Sequence, residues 1–301
     1  MPLKIAALCA LLLSAAVQAA TTGGIDLQAN REPIHTEKNP AAIALIPANF
    51  HFAVPGKLTV AVAFENSPPL ALFAEDNKTL IGSDPDIARL VADSLGLELN
   101  LVPTSWEDWP LGISAGKYDA AIFNIAVTKQ RKTKFDFATY RVDTLGFYVK
   151  STSHITSINR PQDVAGLRII VGSGTNQENI LLGWDKQNRA ARLPPVQPIY
   201  VTDDAATNLS IQSGRADAFF GPHSTGAYKA ALTGKTKMVG IGPSVAYVAV
   251  TTKKGNGLVN AVNAAINGAI VSGEYAQVLE RWGEGDEKVE RSTINPPGIG
   301  D

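Results

Sequence analysis

Two stretches of the chain, ISAGKYDAAIF (113–123) and IQSGRADAFFG (211–221), share one pattern: the end of a helix, a small–Gly–basic turn, then Asp-Ala and an apolar run. Each closes a block in which strand and helix alternate. In the first block KLTVAVAF (57–64) alternates and is β-branched, which predicts a strand. DIARLVADSLGL (86–97) spaces Ile87, Leu90, Val91 and Leu95 as on one helix face, with Gly96 as the stop. ELNLVP (98–103) predicts a strand, WEDWPLGISAGK (106–117) a short helix and YDAAIF (118–123) a third strand. The second block repeats this with LRIIVGSG (167–174), TNQENILLGWDKQN (175–188), VQPIYV (196–201), DDAATNLSIQSG (203–214, capped by Thr202 or Asp203) and ADAFFG (216–221). Such alternation requires parallel strands with covering helices, an α/β fold. Two similar α/β lobes explain the repeat; one long doubly wound sheet is the alternative. LVNAVNAAINGAIVSGEYAQVLERW (258–282) predicts one or two amphipathic helices that need an earlier partner.

The chain begins with Lys4, an apolar run from Ile5 to Val17 and the small-x-small triplet Val17-Gln18-Ala19, which predicts an export signal (1–19) cleaved after Ala19. The run is shorter than the roughly 20 residues of a membrane span. Cys9, the only cysteine, lies inside it, with Leu8 rather than a small residue before the sulfur, which argues against a lipid anchor. Beyond the signal no thiol remains for a disulfide, a cysteine metal site or a cysteine nucleophile. Residues 20–56 hold Pro33, Pro40, Pro47 and Pro55 with little periodicity, and are expected as an extended leader. A formal charge of −1 argues against nucleic acid and against an anionic membrane surface as partners. No G-x-S-x-G, H-E-x-x-H or Gly-Lys-Thr phosphate loop occurs, and neither a cofactor nor a metal is expected.

Positive charge gathers in VTKQRKTKFDF (127–137). Thr128 can cap a helix start with Arg131 three residues on, and amides there favour an anion. A guanidinium adds a planar partner for a carboxylate. The competing reading is a surface arginine paired with Asp136, with Lys129, Lys132 and Lys134 as solvated charge. GSGTNQ (172–177), between a strand and a helix, offers a second set of amides.

The opening strand, IGSDPDIARLVADSLGLELNLVPTSWED, SAGKYDAAI, TKQRKTKFDFATY, GLRIIVGSGT, SGRADA and GEYAQVLERW arrive in one order over roughly residues 57–283. In that order and spacing the chain resembles the extracellular solute-binding proteins, family 3, of polar amino-acid ABC importers. The resemblance implies a type II periplasmic binding-protein fold. Two doubly wound lobes, 57–147 plus 245–301 and 148–244, would be joined by two hinge strands near 146–150 and 245–250. A ligand would lie between them, and the hinge would close on it. It further implies a monomeric periplasmic protein that hands an amino acid or other small carboxylate to an ABC permease in the inner membrane.

By family position, Arg131 of Thr128-Lys129-Gln130-Arg131 would hold the ligand carboxylate, Trp106 would stack on the ligand, Asn124 and Ala126 would line the first lobe, and Thr175 and Asn176 would close from the second. Trp109 is assigned to packing. The departures concern the ligand's ammonium. Ala126 stands where the family often has a hydroxyl, Phe64 and Ser67 where an aromatic and an acid are common, and Pro222 where the family's aspartate belongs. A buried ammonium without a carboxylate costs several kcal/mol. Either another acid supplies the charge, with Glu65 and Asp84 as candidates, or the ligand lacks a free ammonium, or the alignment slips by a residue. His223, next to Pro222, could accept a hydrogen bond from a ligand, although a lone surface histidine is the commoner case. Catalysis is not expected. The rival classes are a dehydratase-like enzyme on the same scaffold, with Glu65 or His223 as general acid, and a ligand-sensing module.

Overall fold

The computed structural model describes residues 21–22, 25–26, 31–64, 67–201 and 203–301. The expected signal at 1–19 and Glu65 lie outside these residues. The chain starts with β1 (Thr21–Thr22), β2 (Ile25–Asp26) and the one-turn helix α1 (Pro40–Ile43). Next come β3 (Lys57–Ala63), β4 (Leu72–Phe73), β5 (Leu80–Ile81), α2 (Ser83–Ser94), β6 (Glu98–Thr104), α3 (Trp109–Ala115) and β7 (Ala120–Ala121). After the long strand β8 (Phe135–Lys150) come β9 (Arg168–Val171), α4 (Asn176–Ala190), β10 (Gln197–Tyr200), α5 (Asp204–Gln212), β11 (Ala218–Pro222) and α6 (His223–Thr233). The long strand β12 (Thr236–Lys253) and the helices α7 (Leu258–Ser272) and α8 (Glu274–Arg281) close the fold.

Eight strands are hydrogen-bonded in the order β10-β9-β11-β8-β12-β7-β3-β6. At one end β3 runs parallel to β6 and β7; at the other β9 runs parallel to β10 and β11. Between them the antiparallel pair β8 and β12 belongs to both halves. Its ladder slips between Ile241 and Val245, opposite Thr144 to Gly146. Gly242-Pro243-Ser244 falls in that gap, where proline has no N–H to give a ladder. The architecture is the expected type II periplasmic binding-protein fold: two α/β lobes on two shared strands.

The cores are correspondingly separate. In the first lobe Leu58, Val60, Leu90, Val262 and Trp282 pack in one cluster, while Trp109, Ile113, Phe135 and Phe137 fill the other face of the sheet. The late helices α7 and α8 thus find their partner in α2. In the second lobe Phe147 stacks between Phe220 at 4.0 Å and Trp184 at 5.7 Å. Residues 31–56 run along the first lobe, with Asn39 N–H donating to Ser94 O at 2.8 Å and Ala53 N–H to Asp119 Oδ1 at 2.8 Å.

Local chemistry trims the expected elements. The helix foreseen over 106–117 begins at Trp109, with Pro110 in its first turn where no N–H is needed, and ends on Gly116 at φ +74°. Of YDAAIF only Ala120 and Ala121 join the ladder. The one or two helices expected over 258–282 are two, parted at Gly273, φ +100°. Asp203 rather than Thr202 is the observed cap of α5, accepting from Ala206 N–H at 2.7 Å.

Candidate functional site

Between the lobes lies a cavity of about 180 Å³, walled by Asp84, Trp106, Asn124 and Asp143 on one side and by Thr175, Asn176, Pro222 and Lys229 on the other. It adjoins a second, largely apolar chamber of about 310 Å³, with which it shares Asp204, Thr207, Phe219 and Lys229.

Arg131 lies beside this cavity rather than in its wall: it lines a neighbouring pocket of about 630 Å³ with Thr128, Gly174 and Ile299, and Asn176 is common to both. Thr128 Oγ1 accepts from Arg131 N–H at 3.1 Å, as the capping pattern predicts, but it caps only a single 3-10 turn, Arg131–Thr133. That turn has no macrodipole to speak of, so the guanidinium carries the positive charge. It donates through Nη1 to Ala126 O at 2.9 Å and reaches across the cleft through Nη2 to Gly174 O at 3.4 Å. Its carbon lies 5.1 Å from the Trp106 ring centroid. Burial holds its pKa down at about 10, still charged at neutral pH. Among the described residues no carboxylate pairs with it. Asp136 instead accepts from Gly255 N–H at 2.7 Å and Asn295 Nδ2 at 3.0 Å, which removes the surface-pair reading. Nor is Lys132 free in solvent; it pairs with Asp301 and donates to Pro296 O at 3.1 Å.

Trp106 is held edge-on by Trp109 at 5.9 Å and Phe123 at 5.6 Å, and faces Arg131 and Gly174. Trp109 is buried in packing, as expected. Thr175 caps α4: its hydroxyl accepts from Glu178 N–H at 3.1 Å and donates to Gly172 O at 2.7 Å. Glu178 turns back onto Gly174 N–H at 2.6 Å, so one of the amides foreseen for an anion already has a carboxylate. Asn176 lines the cleft beside it.

Asn124, at φ +49°, has its side chain and its backbone N–H engaged within the protein. Its backbone N–H donates to Asp84 Oδ2 at 3.2 Å, its Nδ2 to Asp143 Oδ2 at 3.1 Å, and its Oδ1 accepts from Arg141. The side-chain amide foreseen for a ligand is therefore spent on Asp143, and the backbone carbonyl is left to offer. Ala126 is buried and meets the site only through its carbonyl on Arg131. Phe64 is largely exposed and is not among the cavity-lining residues. His223 is not there either: as the first residue of α6 it places Nδ1 2.8 Å from Tyr148 Oη and faces a pocket with Arg281 and Glu287. Pro222 does line the cleft, and Lys229, two turns further along α6, pairs with Asp204 of α5 on the same side of it.

Of the acids behind Asn124, Asp84 was a candidate from the sequence; Asp143, Glu284 and Glu287 were missed. Gly82, at φ +136°, opens α2, and a Cβ there would lie 2.3 Å from Leu70 O. This turn sets Asp84 in the cleft wall, where it accepts from Tyr140 Oη at 2.5 Å. Arg141, wholly buried in β8, pairs with Glu287, lies 3.6 Å from Glu284 and 4.0 Å from Asp143. Burial raises Asp84 and Asp143 to about 6 and Glu284 to about 7, against the pull of Arg141. The signal was present in FATYRVDTLGFY: an Arg and an Asp at strand period, on one face of an otherwise apolar strand.

A cleft between two lobes on two shared strands, adjoined by a guanidinium without a carboxylate partner among the described residues, is a container for a small anion rather than a surface for a polymer. The sequence profile of bacterial extracellular solute-binding proteins, family 3, matches residues 58–285. The chain belongs to that family. This family 3 solute-binding protein is 30% identical over 230 residues to the L-cystine-binding protein TcyJ of Escherichia coli K12, a match covering 74% of this chain and 82% of TcyJ. Among solved structures, an ancestral arginine-binding protein bound to arginine shares the fold at TM-score 0.68 and 23% identity, over 75% of this chain and 98% of that one. The ancestral amino acid-binding protein AncCDT-1, a precursor of cyclohexadienyl dehydratase, matches at TM-score 0.66 and 25% identity, over 75% and 95%.

Proposed function

We propose that this solute-binding protein captures an amino acid or amino-acid-like carboxylate between its lobes and delivers it to an ABC permease. The observation that carries the reading is Arg131: a partly desolvated guanidinium, without an acidic partner among the described residues, held between Trp106 and the Gly174 carbonyl of the opposite lobe. A ligand carboxylate supplies the missing charge and a bidentate contact. Trp106 gives it an aromatic wall, the Asn124 carbonyl, Ala126 through Arg131, and Thr175 and Asn176 frame the head group, and the apolar chamber beyond Phe219 leaves room for a side chain. The relatives that bind cystine and arginine support the ligand class.

In this reading residues 57–147 and 245–301 form one lobe and 148–244 the other, the first 19 residues export the chain to the periplasm, and the protein works as a monomer. The dehydratase-like alternative rests on AncCDT-1, but of its two candidate acids His223 lies outside the cleft.

A thermal-shift screen of refolded protein against each α-amino acid, its N-acyl and its 2-oxo analogue tests the proposal, because a ligand bound only by the folded state raises the melting temperature. A shift with any of these carboxylates supports it. Silence across all three sets, with turnover of a cyclohexadienyl substrate detected by mass spectrometry, replaces it with the enzyme.

A further inference from the structure

The cleft's cation-binding end is the open question, since Pro222 stands in the second lobe where the family resemblance puts an acid. The first lobe holds an excess of negative charge. Asp84, Asp143, Glu284 and Glu287 surround the single guanidinium of Arg141, all of them nine-tenths buried or more. Asp84 and Asp143 line the cavity. The two are not equivalent. Asp84 has both oxygens engaged, by Tyr140 Oη and Asn124 N–H. Asp143 has Oδ2 engaged by Asn124 Nδ2, while Oδ1 has no hydrogen-bond partner and its nearest cation, Arg141 Nη1, is 4.0 Å away. A buried carboxylate oxygen left without a donor is costly, and a donor arriving from the cavity relieves it.

Resting on the proposed carboxylate reading, we infer that Asp143 receives the ligand's ammonium, so the acid that recognises it comes from hinge strand β8 of the first lobe and not from the end of β11 in the second. The ligand then carries both charges, its ammonium at Asp143 in the cavity and its carboxylate reaching past Trp106 to Arg131 in the adjoining pocket. Asn124 has a definite part in this: by binding Asp143 Oδ2 and accepting from Arg141, it fixes the rotamer that leaves the buried Oδ1 without a donor. The second lobe fits the exchange. Lys229, one of its cleft-lining cations, is neutralised by Asp204 and does not oppose an ammonium.

Isothermal titration of wild type, Asp143→Asn, Pro222→Asp and the double variant, with the twenty common L-amino acids, L-cystine and their N-acetyl and 2-oxo analogues, decides it. Wild type should bind at least one free amino acid more tightly than both its analogues. Asp143→Asn should weaken that amino acid by about thirtyfold or more while leaving the analogues within about threefold, since only the ammonium contact is lost. Pro222→Asp in the wild type should change affinity by less than about threefold, and in the Asp143→Asn background should recover about tenfold. Equal binding of the amino acid by wild type and Asp143→Asn overturns the inference and leaves the carboxylate reading standing. So does preference of the wild type for the analogues. Should Asp143→Asn fail to fold, Pro222→Asp alone still decides: a gain above about tenfold means that no acid already serves the ammonium. No binding by wild type of any compound in the three sets removes both readings.

Discussion

Thr128 and Ile299 are paired as neighbouring parallel strands are, with Lys129 N–H donating to Ile299 O at 3.0 Å and Ile299 N–H to Val127 O at 3.0 Å. The end of the chain thereby straps the segment that carries Arg131. Lys132 adds a grip on Asp301, and Gly298 lies so close that a Cβ would sit 2.5 Å from Val127 O. The family profile stops at residue 285, so this strap lies beyond the matched residues.

Gly298→Val should lift the strap and loosen Arg131. Ligand affinity is expected to fall by about tenfold, with a stability loss of only about 1 kcal/mol, because the cores are untouched. Titration calorimetry and denaturant unfolding separate the two effects; unchanged affinity would mean that the loop holds its own shape.

Arg131→Ala removes a charge-assisted, bidentate contact and should weaken a carboxylate ligand by more than tenfold, on the scale of about 1.5–3 kcal/mol. Arg131→Lys should recover part of this, since it keeps the charge and loses the planar fork. Calorimetry with the tightest carboxylate ligand is the measurement, and equal affinity in the alanine variant would dismiss the assignment.

Arg141→Met should be among the most destabilising single changes available. It strips the buried carboxylates Glu284, Glu287 and Asp143 of their only close guanidinium, and breaking one side of a buried ion network costs about 3–5 kcal/mol. Chemical denaturation reads it directly; a loss below about 1 kcal/mol would mean that these acids are neutral in the folded state.

Stability should rise on mild acidification. Burial holds Asp84 and Asp143 at about 6 and Glu284 at about 7 in the folded chain, above their ordinary 3.8 and 4.5. The folded state therefore binds protons that the unfolded state releases, and stability withheld at pH 8 returns as the pH falls through 7 and 6. The opposite limb belongs to Asp76 and Asp163. Hydrogen bonds from Thr79 and from the Asn159 N–H hold these two below the ordinary value, so their contribution is lost below about pH 4. Scanning calorimetry of ligand-free protein should give a melting temperature higher at pH 5.5 than at pH 8; the reverse order would contradict the burial of the three acids.

Legibility in the sequence divides along the range of the interactions. The strand and helix alternation, the two-lobed plan and the early partner of the late helices could be read because each rests on local periodicity or on the order of motifs. Arg131 and Trp106 were singled out by motif and family order, and the fold brings them within 5.1 Å of one another. Asp143 and Lys229 were not, because they reach the cleft from a hinge strand and from α6, elements whose meeting depends on the whole fold. The strap at Ile299 has no periodic signal, since it is an irregular segment held by backbone pairing. The start of α3 was misjudged, because Pro110 sets it, whereas the break at Gly273 falls within the one or two helices expected.

The pairing of Arg131 with Trp106 has an optical consequence. Of the four tryptophans, Trp109, Trp184 and Trp282 are sealed in the cores, and Trp106 alone is half-buried at the cleft, its indole beside the guanidinium. A solute that draws Arg131 onto itself changes the field across that one ring and the water around it. The emission of the native chain should therefore shift with occupancy against a constant background from the other three, and the protein carries, without any added dye, its own gauge of whether it is full.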